Sequence, residues 1–181
     1  MFGLFSRKRN QPLIDKLHSE IMTGVLKPEL YLLCGVPDTF EGRFEMLVLH
    51  GALTTRRIEH LPAPGPDLAQ DLTDGIFRYL DVTLREMGVG DVTVPKRMKK
   101  HAESYAGRAL SYFTALDAKD DMALRLALAR NVLGDEALAT SPQATQLAQY
   151  VRAVEQKLTT YDLDHFLSGV IGYPDPAPQG A

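Results

Sequence analysis

The densest chemistry in the chain sits in GVGDVTVPKRMKKH, residues 88–101. Gly88, Gly90 and Asp91 come before Pro95, and Lys96, Arg97, Lys99 and Lys100 then place four cations in five residues. A glycine turn that runs into a basic helix is a frequent cradle for phosphate, because turn amides and a helix N-terminus both attract anions. The known phosphate loops need GxGxxG after a strand, or GxxxxGK followed by Ser or Thr. Here the glycines follow helical periodicity, and no third glycine comes. They read as punctuation: Gly88 ends one helix, Gly90 and Asp91 turn the chain, and Pro95 opens the next. The cations are a separate signal. In the first turns of a helix they meet the positive end of the macrodipole, which disfavours each by roughly 0.3 kcal/mol or more. Two readings stand side by side: a solvated face paired with the acidic helix before it, or a surface for an acidic or anionic partner. On the second reading the candidate contacts are Lys96, Arg97, Lys99, Lys100 and Arg108.

A second basic feature lies at the start of the chain, MFGLFSRKRN. Phe2, Leu4 and Phe5 stand beside Arg7, Lys8 and Arg9, a pairing that suits weak contact with an anionic membrane. A frayed tail is the other reading. This segment has no apolar stretch of the ~7–15 residues that a signal peptide needs. The expectation is a chain that stays where it is made, in the cytoplasm, with at most a peripheral contact to the membrane.

The remaining chemistry is sparse. Five histidines, His18, His50, His60, His101 and His165, form no HExxH, HxH or Cys/His cluster, so neither metal nor cofactor is expected. There is no GxSxG elbow, and the single cysteine, Cys34, sits in LYLLCGV as a buried, inert thiol. His50, in VLHGAL, reads as a core histidine with a backbone or acidic partner. The alternative is an enzyme that uses a cleft around His50 or His101. A third function class, a nucleic-acid binder through the basic helix, is disfavoured by the net charge of −3, the pI near 5.9 and the absence of tryptophan.

The elements that must position these residues are helices. Apolar residues recur at spacings of three and four, and strand-like alternation is nearly absent. The predicted helices span 12–22, 38–60, 67–87, 94–116, 120–133 and 141–158, with a short turn near 29–33. Asp38 is the expected N-cap of the second long helix, whose apolar girth makes it the centre of the core. The expected stripes include Leu68, Leu72, Ile76, Thr83 and Met87 on one helix, and Met98, Ala102, Tyr105, Ala109 and Tyr112 on the next. With 181 residues, 45% apolar, the chain suits one domain. The fold expected is an all-α, single-domain bundle of about six to seven helices without significant sheet. Residues 1–11 would form a flexible basic and apolar tail, 12–172 the helical domain, and 173–181 a disordered Pro-rich tail.

An ordered set of motifs carries a resemblance. FEGRFEMLVLHGALTTRRI (40–58) is followed by DGIFRYLDVTLREMGVGDVTVPKRMKKHAESYAGRALSY (74–112). RExGVGD, then VPK, then Tyr-x-Gly-Arg beyond the cations resembles the ubiquinol–cytochrome c chaperone family over about residues 13–133. The resemblance implies an all-helical assembly factor of the cytochrome bc complex that binds newly made cytochrome b and has no catalytic activity of its own. It also implies a bacterial member, working at the cytoplasmic face of the inner membrane. Mitochondrial relatives act with a small partner protein. No catalytic residues come with the family; the contact surface on the basic helix is an inference from charge.

Overall fold

The computed structural model describes residues 3–88, 90 and 93–176, with side chains from Asn10 onward. The chain order is α1 (Gly3–Val25), α2 (Pro28–Leu32), α3 (Phe40–Glu59), α4 (Gly65–Glu86), α5 (Val94–Asp117) and α6 (Asp121–Leu128). α6 runs on as a π-helical turn, Ala129–Leu133, and a 3-10 turn follows at Glu136–Thr140. The series closes with α7 (Pro142–Thr159) and α8 (Leu163–Leu167), and no strand occurs among the described residues.

Local chemistry sets most of the boundaries. Prolines occupy the first positions of α2, α4, α5 and α7, where their missing N–H costs nothing. Asp120, Ser141 and Asp162 each accept a backbone N–H at the start of their helices. Gly88 follows α4 with φ +81°, the left-handed residue expected of it. At α3 the cap falls one residue later than predicted. Thr39 Oγ1 accepts from the Gly42 amide, because the Asp38 carboxylate is taken by Arg43 Nε at 2.9 Å. α1 also begins earlier than residue 12 and passes through Pro12. The side chains expected to touch a membrane, Phe2, Leu4, Phe5, Arg7, Lys8 and Arg9, lie outside the described ones.

α3 is the central element. It packs against α1, α4, α5 and α7, and it buries residues around most of its girth. Two clusters result. The main core joins α1, α3, α4, α6 and α7 through residues such as Leu17, Met46, Leu49, Leu72, Leu128 and Val151. Each such Leu contributes about 1.5–3 kcal/mol of transfer free energy. α1 comes very close to α4 because Gly75 has no side chain: a Cβ there would lie 2.5 Å from Ile14 Cγ2. A smaller cluster of Phe44, Val48, Leu80 and Leu84, with Phe40, Phe77, Met98 and Tyr105 packed on it, holds the N-terminal half of α5.

The segment after α8 closes the body. Glu20 accepts the amides of Ile171 and Gly172 at 3.0 Å each, and Tyr173 Oη meets Thr54 Oγ1 at 2.6 Å. Tyr173, the first residue of the expected Pro-rich tail, is buried, and Asp175 pairs with Lys27. Residues 177–181 of that tail lie outside the described residues.

Candidate functional site

α5 enters the structure with its cations exposed. Thr93, its N-cap, makes no side-chain capping bond, and no acid stands in the first turn. Lys96, Arg97, Lys99 and Lys100 are all exposed. Among the described residues, no ion pair joins these cations to the acidic helix before them. Asp81 of α4 binds Arg85, its own neighbour at i+4. Lys99 reaches only Glu103, at 3.9 Å on the surface, and no ion pair engages Lys96, Arg97 or Lys100 among the described residues. Exposed pairs of the Lys99 kind contribute about 0–1 kcal/mol.

Arg108 is placed differently. Its Nε lies 2.6 Å from Glu45 Oε2, and Glu45 is buried in α3. Burial pushes the Glu45 carboxyl above the usual carboxylate range, and the guanidinium pulls it back. Arg108 is thus tied to α3, while Arg97 and Lys100 line the groove beside it and Lys96 and Lys99 are not among its lining residues.

Between these cations and the body runs a groove of about 550 Å³. α3 supplies Phe40, Glu41, Phe44 and Glu45, α4 supplies Leu84 and Met87, and α5 supplies Arg97, Lys100, His101, Ser104 and Arg108. A second, more apolar hollow of about 340 Å³ continues on the other side of Phe40 and Phe44. Its walls are His18, Met22 and Leu26 of α1 and the chain just after it, Arg43 and Leu47 of α3, and Tyr79, Leu80 and Thr83 of α4, with Arg43 paired to Asp38 at 2.7 Å. The two hollows adjoin at Phe40 and Phe44, and together they make a composite trough: Arg97, Lys100 and Arg108 line its α5 end, and its α1 end is mostly apolar apart from Arg43, which is paired with Asp38.

The predicted stripes explain this trough. Leu68, Leu72, Ile76 and Leu80 of α4 are buried as their spacing demands, but Thr83 and Met87 are exposed, Met87 at 57%. On α5 the stripe is buried at Ala109 and Tyr112, half-buried at Met98 and Tyr105, and exposed at Ala102. The buried stripe of α4 passes from Leu80 to Leu84 rather than to Thr83, and Met87, just past the end of the helix, stands exposed.

The histidines separate cleanly. His50 is 1% exposed, and its Nδ1 lies 2.7 Å from the Met46 carbonyl while Nε2 lies 2.7 Å from Tyr150 Oη. Desolvation pushes its pKa down to about 4, so the ring is neutral: Nδ1–H donates to Met46 and Nε2 accepts from the tyrosine. This is the core histidine that the sequence suggested, with a backbone partner. His101 packs on Phe44 with ring centroids 4.5 Å apart. Burial lowers its pKa, and the charges of Arg108, Arg97 and Lys100 lower it further. Among the described residues no carboxylate is hydrogen-bonded to either ring, so the His–carboxylate convergence of the enzyme reading is not found there. Cys34 is buried, and desolvation pushes its thiol up to about 11. Among the described residues no group of His, Cys, Asp and Glu has the arrangement of a metal site, and no helix is long and apolar enough to cross a membrane.

The model of the family described as ubiquinol–cytochrome c chaperone matches residues 32–173. The chain belongs to that family. The crystal structure of the Cbp3 homolog from Brucella abortus superposes with a TM-score of 0.82 at 37% identity, covering 95% of each chain. Among curated proteins, none gives a significant match. The ubiquinol–cytochrome c chaperone match begins at residue 32, later than the residue 13 that the motifs suggested, and runs past residue 133 to Tyr173. The reason is physical: α7 and the closing segment are parts of the same core, so the family's pattern continues through them. The trough straddles the edge of the match. Its cationic wall and its floor lie inside 32–173, and its α1 wall lies before it.

The residue that sequence reasoning missed is Glu45. It looks like one more acid in FEGRFEML, yet it is the buried partner of Arg108. Its place on the apolar face of α3, one position after Phe44, was the available signal. The apolar wall of Met22, Leu26 and Leu47 was also missed as a site: Met22 was the predicted end of the first helix, Leu26 lay beyond it, and Leu47 read as part of the core face of the 38–60 helix.

Proposed function

We propose that the protein is an assembly chaperone of the respiratory cytochrome bc complex, ubiquinol–cytochrome c reductase, and that its client is newly made cytochrome b. The observation that carries this reading is the ubiquinol–cytochrome c chaperone match over residues 32–173, reinforced by the fold-wide likeness to the Cbp3 homolog from Brucella abortus. The chemistry of the molecule agrees with a binding role. It offers an open trough with an apolar wall and a cationic rim, the surface an unassembled membrane subunit would need. In this reading the chain works without a catalytic step, without metal or cofactor and without nucleic acid. It meets its client at the cytoplasmic face of the inner membrane, with Lys96, Arg97, Lys99 and Lys100 turned to the client and Arg108 holding α5 to α3. A small partner protein of the kind found with mitochondrial relatives, and a peripheral membrane contact through Phe2, Leu4, Phe5, Arg7, Lys8 and Arg9, belong to the same proposal.

Deletion of the gene tests it. The cytochrome bc complex should fall several-fold while other respiratory complexes keep their levels, and the full chain purified from solubilised membranes should carry cytochrome b, identified by mass. Normal cytochrome bc levels in the deletion strain would end the proposal.

A further inference from the structure

Resting on the chaperone reading, we infer that the composite trough seats one kind of segment: an apolar stretch of the client flanked by carboxylates. The apolar part lies along Met22, Leu26, Phe44 and Leu47, and the acids meet Arg97 and Lys100.

Three observations support this choice of occupant. First, Met87, at 57% exposure just past the end of α4, and Leu26, at 48% just after α1, stand open in the lining of the two hollows, beside the shared Phe40 and Phe44. An open apolar surface rimmed by charge is the common form of a docking site. Second, the charges are complementary to acid. Arg97 and Lys100 line the trough and have no ion-pair partner among the described residues, whereas Glu45, the buried acid of the floor, is already matched by Arg108. Glu41 is the remaining acid there, against two unmatched cations and a histidine. Third, the cations sit where the helix dipole disfavours them, so their placement works against local stability. A carboxylate arriving at the N-terminal turns of α5 would be favoured by both the side chains and the dipole.

The order of features along the trough sets the polarity of the client segment. Its apolar residues would point toward α1 and its acids toward α5, and a segment flanked by lysines would be repelled at the same place. α6 and the 3-10 turn make their main contacts with α5, α7, one another and the π-helical turn. Their exposed apolar residues, Met122 and Leu138, therefore serve as controls.

The test is site-specific photo-cross-linking in cells that make the cytochrome bc complex. A photo-reactive amino acid replaces Leu26, Met87 or Lys100 in the full chain, or Met122 or Leu138 as controls. Cytochrome b should be captured at the three trough positions at least tenfold more than at the controls. Combining Arg97→Glu and Lys100→Glu should cut capture at Leu26 at least tenfold. Capture of cytochrome b mainly at Met122 or Leu138 would overturn the trough while leaving the chaperone reading in place. Capture of cytochrome b nowhere would remove that reading, and this one with it. The same double variant is also sedimented with phosphatidylglycerol vesicles. If it loses vesicle binding but keeps full capture at Leu26, the cations face lipid and the inference is wrong.

Discussion

The closing segment and the basic half of α5 both lean on α3, but they are held in opposite ways. The segment from Ile171 to Asp175 is fastened by Glu20, by Thr54 and by Lys27, and the Tyr173 ring lies edge-on to His50 at 4.8 Å. Gly24 leaves it room: a Cβ there would lie 2.5 Å from the Tyr173 ring. By contrast, Lys96 to Gly107 rest on the small satellite cluster and leave most of their surface to solvent. Tight, mutually dependent contacts mark the part that specifies the fold. Sparse contacts and unmatched cations mark the part free to meet something else.

The comparison can be broken first at its tight end. Tyr173→Ala removes a buried ring and the partner of Thr54, and should cost about 3–5 kcal/mol in urea unfolding. A loss below ~1 kcal/mol would mean that the closure is ornamental. Next comes the pH dependence of the same region. His50 has a folded pKa of about 4, below the ~6.5 of an unfolded chain. The stability it contributes is therefore complete above pH 6.5 and is lost as pH falls from 6.5 toward 4, about 3 kcal/mol in all. His50→Gln, which keeps a polar group near Tyr150, should be less stable at pH 7 and lose most of this acid slope. An equally steep slope in the variant would place the titration elsewhere.

At the border between the two regions, Glu45→Ala strands the Arg108 guanidinium. A fully buried pair broken in this way costs about 3–5 kcal/mol, and the partial exposure of Arg108 reduces that to about 2 kcal/mol. The thermal midpoint of the variant should fall by several degrees, and α5 amides should exchange faster than those of α7. The smallest stability effect belongs to the open end. Changing Lys96, Arg97, Lys99 and Lys100 to Glu should shift stability by less than about 1 kcal/mol, with a gain favoured by the dipole. Recovery of cytochrome b should nevertheless drop sharply. A charge-reversed chain that still supports full assembly would show that the cations have no role in binding.

The borders of the helices were legible because their causes are local. Pro95 and Pro142 open α5 and α7, Ser141 and Asp120 cap α7 and α6, and Gly88 and Gly134 stop helices with positive φ. Asp38 lost the α3 cap to Thr39 because a nearby arginine competed for its carboxylate, a contest that spacing does not reveal. The candidate site was legible only in its rim. Four cations at a helix start were visible as a departure from local rules, and the family resemblance rested on the same stretch.

What the sequence determined alone was what one helix can specify: periodicity, caps, stops, the position of the charge cluster and a core built around 40–58. What only the tertiary structure decided was which parts of those stripes find a cover. Leu80 and Met87 carry the same apolar signal on α4, but one is buried and the other stands open. Nor does spacing reveal that Arg108 meets Glu45, or that Tyr173 belongs beside Thr54, 119 residues away. Periodicity records that a face avoids water, whereas burial depends on whether another element is there to exclude it. Leu84, in the last turn of α4, finds that cover against α3 and α5, and Met87, one residue past the helix end, does not.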